Sequence, residues 1–252
     1  MSILARRFKS VDCRSFLDHA RTNNKSMQTT VALGSLYEIL AKEIMTNKLD
    51  MRDMECCGGT GDEGLDIFGK WNLEAYFKSN NKSRQEYEPK DLISKRMHEK
   101  LVRPILKNSV EFKETFQLPV KTSSKSLTNG GNVLVQCKNT KSPISAKVIR
   151  ELAGIYFFHV RTQEDSKNTF MFLVAAKKLT KQARVQFDTA NFPLVFCRIS
   201  PLKVQSIMQD PYDIKSWTGG KLKEFYCNSY SNQLLRGLDV EVQVNEMIKR
   251  EE

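Results

Sequence analysis

Apolar residues recur with two spacings along the chain, and the change from one to the other marks the elements. Leu33, Leu36, Tyr37, Leu40 and Ile44 follow the i, i+3, i+4, i+7 rule, which predicts an amphipathic helix over 31–46 with Thr29 or Thr30 as its cap. A short strand is expected at 53–57, then the turn Gly58-Gly59-Thr60-Gly61-Asp62-Glu63-Gly64, then a strand at 65–68 closed by Gly69. Residues 133–138 (Val-Leu-Val-Gln-Cys-Lys) are β-branched and preceded by a turn signal, and they form the clearest strand. Val148, Ile149, Leu152, Ile155, Tyr156 and His159 then mark one helix face, with Ser142 and Pro143 expected as cap and first-turn proline. His159 on that apolar face reads as a core histidine rather than a ligand. A buried strand at 170–175, a helix at 180–190 capped by Thr180, a strand at 194–199 and a charged helix over 240–252 complete the pattern.

Residues 70–131 break the period. They are polar, with turn chemistry at 79–83 and a Ser/Asn/Gly-rich stretch at 123–131, and read as an insertion that is helical around 91–108. The order is therefore α–β–β–insertion–β–α–β–α–β, which predicts an α/β layer architecture around a mixed sheet. The expected division is an N-terminal targeting or flexible segment (1–28), an α/β domain (29–200) carrying the insertion 70–131, and a C-terminal extension (201–252).

Charge changes the picture. The 252 residues hold 40 Lys plus Arg against 29 Asp plus Glu, a net charge of +11. Residues 132–186 alone carry ten bases and three acids, a net +7. Such an excess points to a polyanionic partner such as nucleic acid, and the absence of a long like-charge block argues against a polybasic membrane tail. No apolar run is long enough to span a bilayer. The six cysteines (13, 56, 57, 137, 197, 227) show no C-x-x-C spacing, and the three histidines (19, 98, 159) complete no zinc-finger interval. They read as reduced, mostly buried thiols. Arg6, Arg7 and Lys9 precede the first acid, Asp12, which fits a mitochondrial presequence.

Gly59-Thr60-Gly61-Asp62-Glu63-Gly64 matches the letters of a dinucleotide fingerprint but not its context. A strand rather than a helix follows, and Asp62 and Glu63 would repel a diphosphate. Another grouping carries more chemistry. Asp66 lies between Leu65 and Ile67, so strand alternation would turn its side chain away from theirs. Gln136 and Lys138 are two apart and share a strand face. If the two strands are neighbours, Asp66, the Gln136 amide oxygen and the Cys137 backbone carbonyl offer oxygen ligands to a hard cation such as Mg²⁺. Lys138 would orient or deprotonate an attacking water, and Glu38 on the first helix would complete the site. That set suits phosphodiester hydrolysis. Asp62 reads as a loop brace.

The stretches GGTGDEGLDIFGKW (58–71), VLVQCKN (133–139), VIRELAGIYFF (148–158) and LTKQARVQFDTANFPLVFCRI (179–199) resemble the Mrr-like branch of the PD-(D/E)XK restriction-endonuclease-like superfamily. More narrowly, the chain is similar to the fungal mitochondrial family called required for respiratory growth protein seven. The resemblance covers about 31–69 and 132–199. It implies a restriction-endonuclease-like core, with a helix carrying Glu38, then Asp66, then Gln136-x-Lys138 in place of Glu-x-Lys. It also implies a Mg²⁺-dependent endonuclease in the mitochondrial matrix, acting on DNA rather than RNA, with Lys141, Lys147 and Arg150 on phosphates. A single cutting centre per chain would make a homodimer necessary for duplex cleavage. The alternative is a catalytically inactive nucleic-acid-binding or assembly factor for mitochondrial genome maintenance or expression. Two departures stand out: about seventy residues separate Asp66 from Gln136, and a neutral amide replaces a carboxylate, which weakens cation affinity.

Overall fold

A computed structural model of the chain describes residues 12–57, 64–76, 127, 130–206 and 209–251, with only the backbone at 163 and 164. The glycine turn with Asp62, the basic residues 6–9 and the helix expected at 91–108 lie outside the described residues.

Helix α1 (Cys13–Thr22) is capped by the Asp12 carboxylate, which accepts from the Ser15 N–H. Cys13, Leu17 and Ala20 are buried in the same core as helix α2 (Thr30–Leu49). Thr29 caps α2, accepting from the Ala32 N–H, and Asp50 ends it in the left-handed conformation. Five strands then alternate with three helices: β1 (Met51–Cys56), β2 (Ile67–Trp71), β3 (Gly131–Lys138), α3 (Ala146–His159), α4 (Gln163–Asn168), β4 (Thr169–Ala175), α5 (Lys181–Asp188) and β5 (Leu194–Ile199). A two-stranded ribbon follows, β6 (Lys203–Val204) with β7 (Trp217–Thr218), and then β8 (Leu222–Cys227), α6 (Ser229–Leu234) and α7 (Val240–Arg250).

The main sheet is mixed and six-stranded, in the order β1-β2-β3-β4-β5-β8. β1–β2, β2–β3 and β5–β8 are antiparallel, while β3–β4 and β4–β5 are parallel. The parallel pairs need crossovers, and α3–α4 and α5 supply them. All seven residues of β4 are buried, as expected of a central strand covered on both faces. One layer packs α1, α2, α6 and α7 on one face, and the other packs α3 and α5 on the opposite face.

Three expectations change. The cap of α3 is Ser145, not Ser142, because Ile144 is drawn into a bridge with Leu179 and the helix can start only after it. β2 runs to Trp71, past the expected start of the insertion at 70, and Leu73, Tyr76 and Leu127 are buried in the α2-side core. The segment expected as a separate C-terminal extension joins the domain: β8 is the sixth strand, and Asn228 locks it with its amide donating to the Ala190 and Phe192 carbonyls. No helix among the described residues is long and apolar enough to cross a membrane.

Candidate functional site

The C-terminal end of β3 gathers the predicted residues. β2 pairs with β3 through Ile67 opposite Val135, so Asp66 arrives opposite Gln136 just before the ladder begins. Its backbone N–H donates to the Val135 carbonyl at 2.9 Å, and its carbonyl accepts from the Cys57 N–H at 2.7 Å. With the backbone held from both sides, one carboxylate oxygen accepts from the Gln136 side-chain amide at 2.5 Å and from the Cys137 N–H at 2.6 Å.

Alternation does not explain this placement. Leu65 packs in the α3 layer and Ile67 in the α2 layer, so Asp66 sits on an irregular step between them rather than inside a strand. The step depends on Gly64, whose φ of +82° is left-handed and whose added Cβ would lie 2.7 Å from Ile155. Chain geometry then aims the ligand atoms. Val135 and Cys137 turn their backbone polar groups toward the β2 edge, so the Cys137 carbonyl points to the side from which Asp66 comes.

Gln136 is only 8% exposed, an unusual burial for an amide, and its bond to Asp66 accounts for it. Lys138 is half-buried on the same strand face and forms no ion pair among the described residues. Glu38 enters from the opposite layer on α2. Its carboxylate and that of Asp66 both act on the Cys56 and Cys137 thiols. Burial first, then Asp66, Glu38 and Cys56, push Cys137 well above the usual thiol range. Burial pushes Cys56 up to about 11, Lys42 opposes this, and Glu38 and Asp66 add to it. The structure therefore joins Asp66, Gln136 and Cys137 by hydrogen bonds, with Lys138 next along β3, while Glu38 acts on the Cys56 and Cys137 thiols from the α2 side of the sheet. It adds two residues that sequence reasoning missed, Lys42 and Cys56. Lys42 was findable, because it lies one helical turn after Glu38. Cys56 carries no motif.

The oxygen donors suit a hard divalent cation. Asp66, the Gln136 amide oxygen and the Cys137 carbonyl are all oxygen ligands. Among the described residues, no group of three or more His, Cys, Asp or Glu is placed to hold a metal, so a cation here would rely on amide and backbone oxygens. The predicted phosphate contacts lie on the next turn of chain. Lys141 is exposed after β3, Lys147 pairs with Glu151 at 3.7 Å, and Arg150 donates to the Gln186 side chain at 3.1 Å.

The thiols give a direct check on this geometry. Native protein treated with iodoacetamide is expected to alkylate slowly at Cys56 until the pH approaches about 11, whereas in denaturant the same residue should react as pH nears 9.0. The sign follows from the reactive species. Raising the folded pKa lowers the thiolate fraction at any pH below it. Peptide mass mapping against pH reads this; equal native and denatured profiles at Cys56 would show that the thiol is not buried between β1 and α2.

The family model described as "Required for respiratory growth protein 7" matches residues 29–235. Among curated proteins, "Required for respiratory growth protein 7, mitochondrial" of Vanderwaltozyma polyspora is 30% identical, over 93% of this chain and 88% of its own length. The proteins of that name from Zygosaccharomyces rouxii and Lachancea thermotolerans are 28% and 29% identical, over 90% of this chain in both cases and 86% and 84% of their own lengths. No solved structure matches the chain at a significant level.

Proposed function

The chain belongs to the required for respiratory growth protein 7 family, and from that premise we propose that it is a mitochondrial protein needed for respiratory growth whose β3 site hydrolyses phosphodiester bonds of nucleic acid. The observation that carries this reading is the Asp66 carboxylate clamped by Gln136 and the Cys137 N–H, with Lys138 on the same strand face. A structural role alone would need only the Cys137 N–H satisfied. It would not need a buried amide beside it and a lysine two residues on. The order α2-β1-β2-β3-α3-β4 also supports a restriction-endonuclease-like core.

Under this reading Asp66, the Gln136 amide oxygen and the Cys137 carbonyl would hold a Mg²⁺ ion, with Glu38 adding negative charge from behind. When bound, the cation would supply Lewis-acid polarisation of a phosphate oxygen. Asp66 keeps its charge close to the reacting phosphate and fixes the end of β3. Gln136 orients Asp66 through its amide N–H. Lys138 carries positive charge to the phosphate and holds or moves the proton of the attacking water. Lys141, Lys147 and Arg150 position the backbone without reading sequence. DNA in the matrix is the preferred substrate, and a homodimer would be needed to cut both strands.

A second reading, a nucleic-acid-binding or assembly factor without cleavage, is favoured by one observation: Gln136 stands where a second carboxylate would hold a cation more tightly. One experiment separates them. Purified protein is incubated with single- and double-stranded DNA and with RNA, in Mg²⁺ or Mn²⁺, at several salt concentrations. Cleavage is the expected result. Binding that weakens steeply with salt but never cuts supports the second reading, since counterion release makes phosphate contacts salt-dependent. No binding to any of these would overturn both.

A further inference from the structure

Beside the Asp66 cluster, on the α3-side face of β2 and β3, lies a cavity of about 560 Å³. Its walls include Leu65, Phe68 and Leu134, with Asn132, His159 and Thr169 as polar members. Phe68 is unusual. It stands on a strand with neighbours on both sides, yet it is 38% exposed. An aromatic ring left open at the wall of a concave, half-polar space is a surface for another flat ring.

The register ties this cavity to the candidate site. Phe68 pairs with Leu134, and Gln136 and Lys138 continue along the same face, the former about 7 Å further on. On the other side of Phe68, Lys70 is exposed on that same face of β2. The row therefore reads cation, aromatic cavity, acid–amide pair, cation. Asp165 also lines the cavity, and its carboxylate is fixed by accepting from the Thr162 hydroxyl at 2.6 Å. A fixed carboxylate suits an exocyclic amino group of a base.

We propose that this cavity receives one nucleobase turned out of a single or locally unpaired strand, stacked on Phe68, while the adjoining phosphates pass Lys70 on one side and reach Lys138 on the other. This rests on the nucleic-acid reading above and adds to it a substrate class. Paired bases in an intact duplex cannot enter without being unstacked, whereas a single strand offers its bases freely.

The test uses the full chain in a buffer free of divalent cations, so that binding is read apart from cleavage. Fluorescence anisotropy compares a labelled single-stranded oligonucleotide, its duplex, and the same strand with abasic sites. The single strand should bind tighter than the duplex. Phe68→Ala and the abasic substitution should each weaken binding about tenfold. Combined, they should lose little more than either alone, because they remove the same contact. Phe68→Trp, which keeps a ring, should retain wild-type affinity, and matching circular dichroism would exclude misfolding of the alanine variant. Wild-type affinity in Phe68→Ala, or a full abasic penalty that persists in it, would overturn the cavity assignment alone. If no oligonucleotide binds at all, the nucleic-acid function itself fails, and the cavity assignment with it.

Discussion

Replacing Lys138 with alanine is expected to lower Mg²⁺-dependent cleavage by roughly 10²–10⁴-fold while leaving the unfolding free energy within about 0.5 kcal/mol of wild type. Both halves follow from where the residue sits. Its amine makes no ion pair among the described residues and its side chain is only half-buried, so its loss leaves neither a cavity nor an orphaned charge. Its place two residues beyond Gln136 on the same strand face matters only if a phosphate comes there. Lys138→Arg keeps the charge but should not restore the rate, because a guanidinium does not give up its proton in this pH range. Asp66 is the necessary comparison, and it is less clean. Asp66→Ala strands the half-buried Cys137 N–H and the Gln136 amide, which costs up to about 1–3 kcal/mol per unsatisfied group in addition to any catalytic loss. Asp66→Asn keeps an acceptor while removing the charge, so it should fold better than the alanine variant and still fail to cut. Quenched-gel assays run with urea titrations on all four variants separate these effects. Cleavage by Lys138→Ala at the wild-type rate would remove this residue from the mechanism.

Much of this fold is legible in period and caps, whereas the meeting of Asp66 with Gln136 has a cause other than strand alternation. Helix α2 and its Thr29 cap, strand β5 and the Thr180 cap of α5 carry strong local signals that the tertiary structure does not oppose. Local signal failed where distant chain decides the outcome. β8 alternates only loosely, and it becomes a strand because β5 presents an open edge to it. α1 has a well-marked cap, but a basic stretch before it suggested a leader. Its burial against α2 follows from Cys13, Leu17 and Ala20 lying on one side, a spacing too short in sequence to outweigh the charge. Asp66 is singled out in the sequence by strand alternation. It reaches Gln136 because the chain steps between layers at Gly64–Asp66, a local irregularity that no periodic rule describes.

Trp71→Ala is expected to destabilise the domain by about 3–5 kcal/mol, the largest single-residue effect on folding predicted for this chain. The indole is fully buried at the end of β2, packed edge-on against Phe170 and Phe172 at 5.4 and 5.2 Å and against Tyr76 and Phe225 at 6.3 and 6.2 Å. Its N–H donates to the Leu49 carbonyl at 2.9 Å, which satisfies the last residue of α2. One side chain thus joins α2, β2, β4 and β8, elements far apart in sequence. Truncation would open a cavity under the sheet and leave that carbonyl without its donor. Trp71→Phe divides the two contributions: it keeps most of the packing and loses only the hydrogen bond, so about 0.5–1.5 kcal/mol is expected. Urea denaturation followed by far-ultraviolet circular dichroism measures both. The consequence reaches the candidate site by mechanical linkage, because α2 carries Glu38 and β2 begins beside Asp66. Folded Trp71→Phe should therefore keep its activity, while Trp71→Ala should lose activity in step with its folded fraction as temperature rises. A Trp71→Ala protein as stable as wild type would mean that β2 is not anchored to α2 through this ring, and the placement of Asp66 against Gln136 would lose its support.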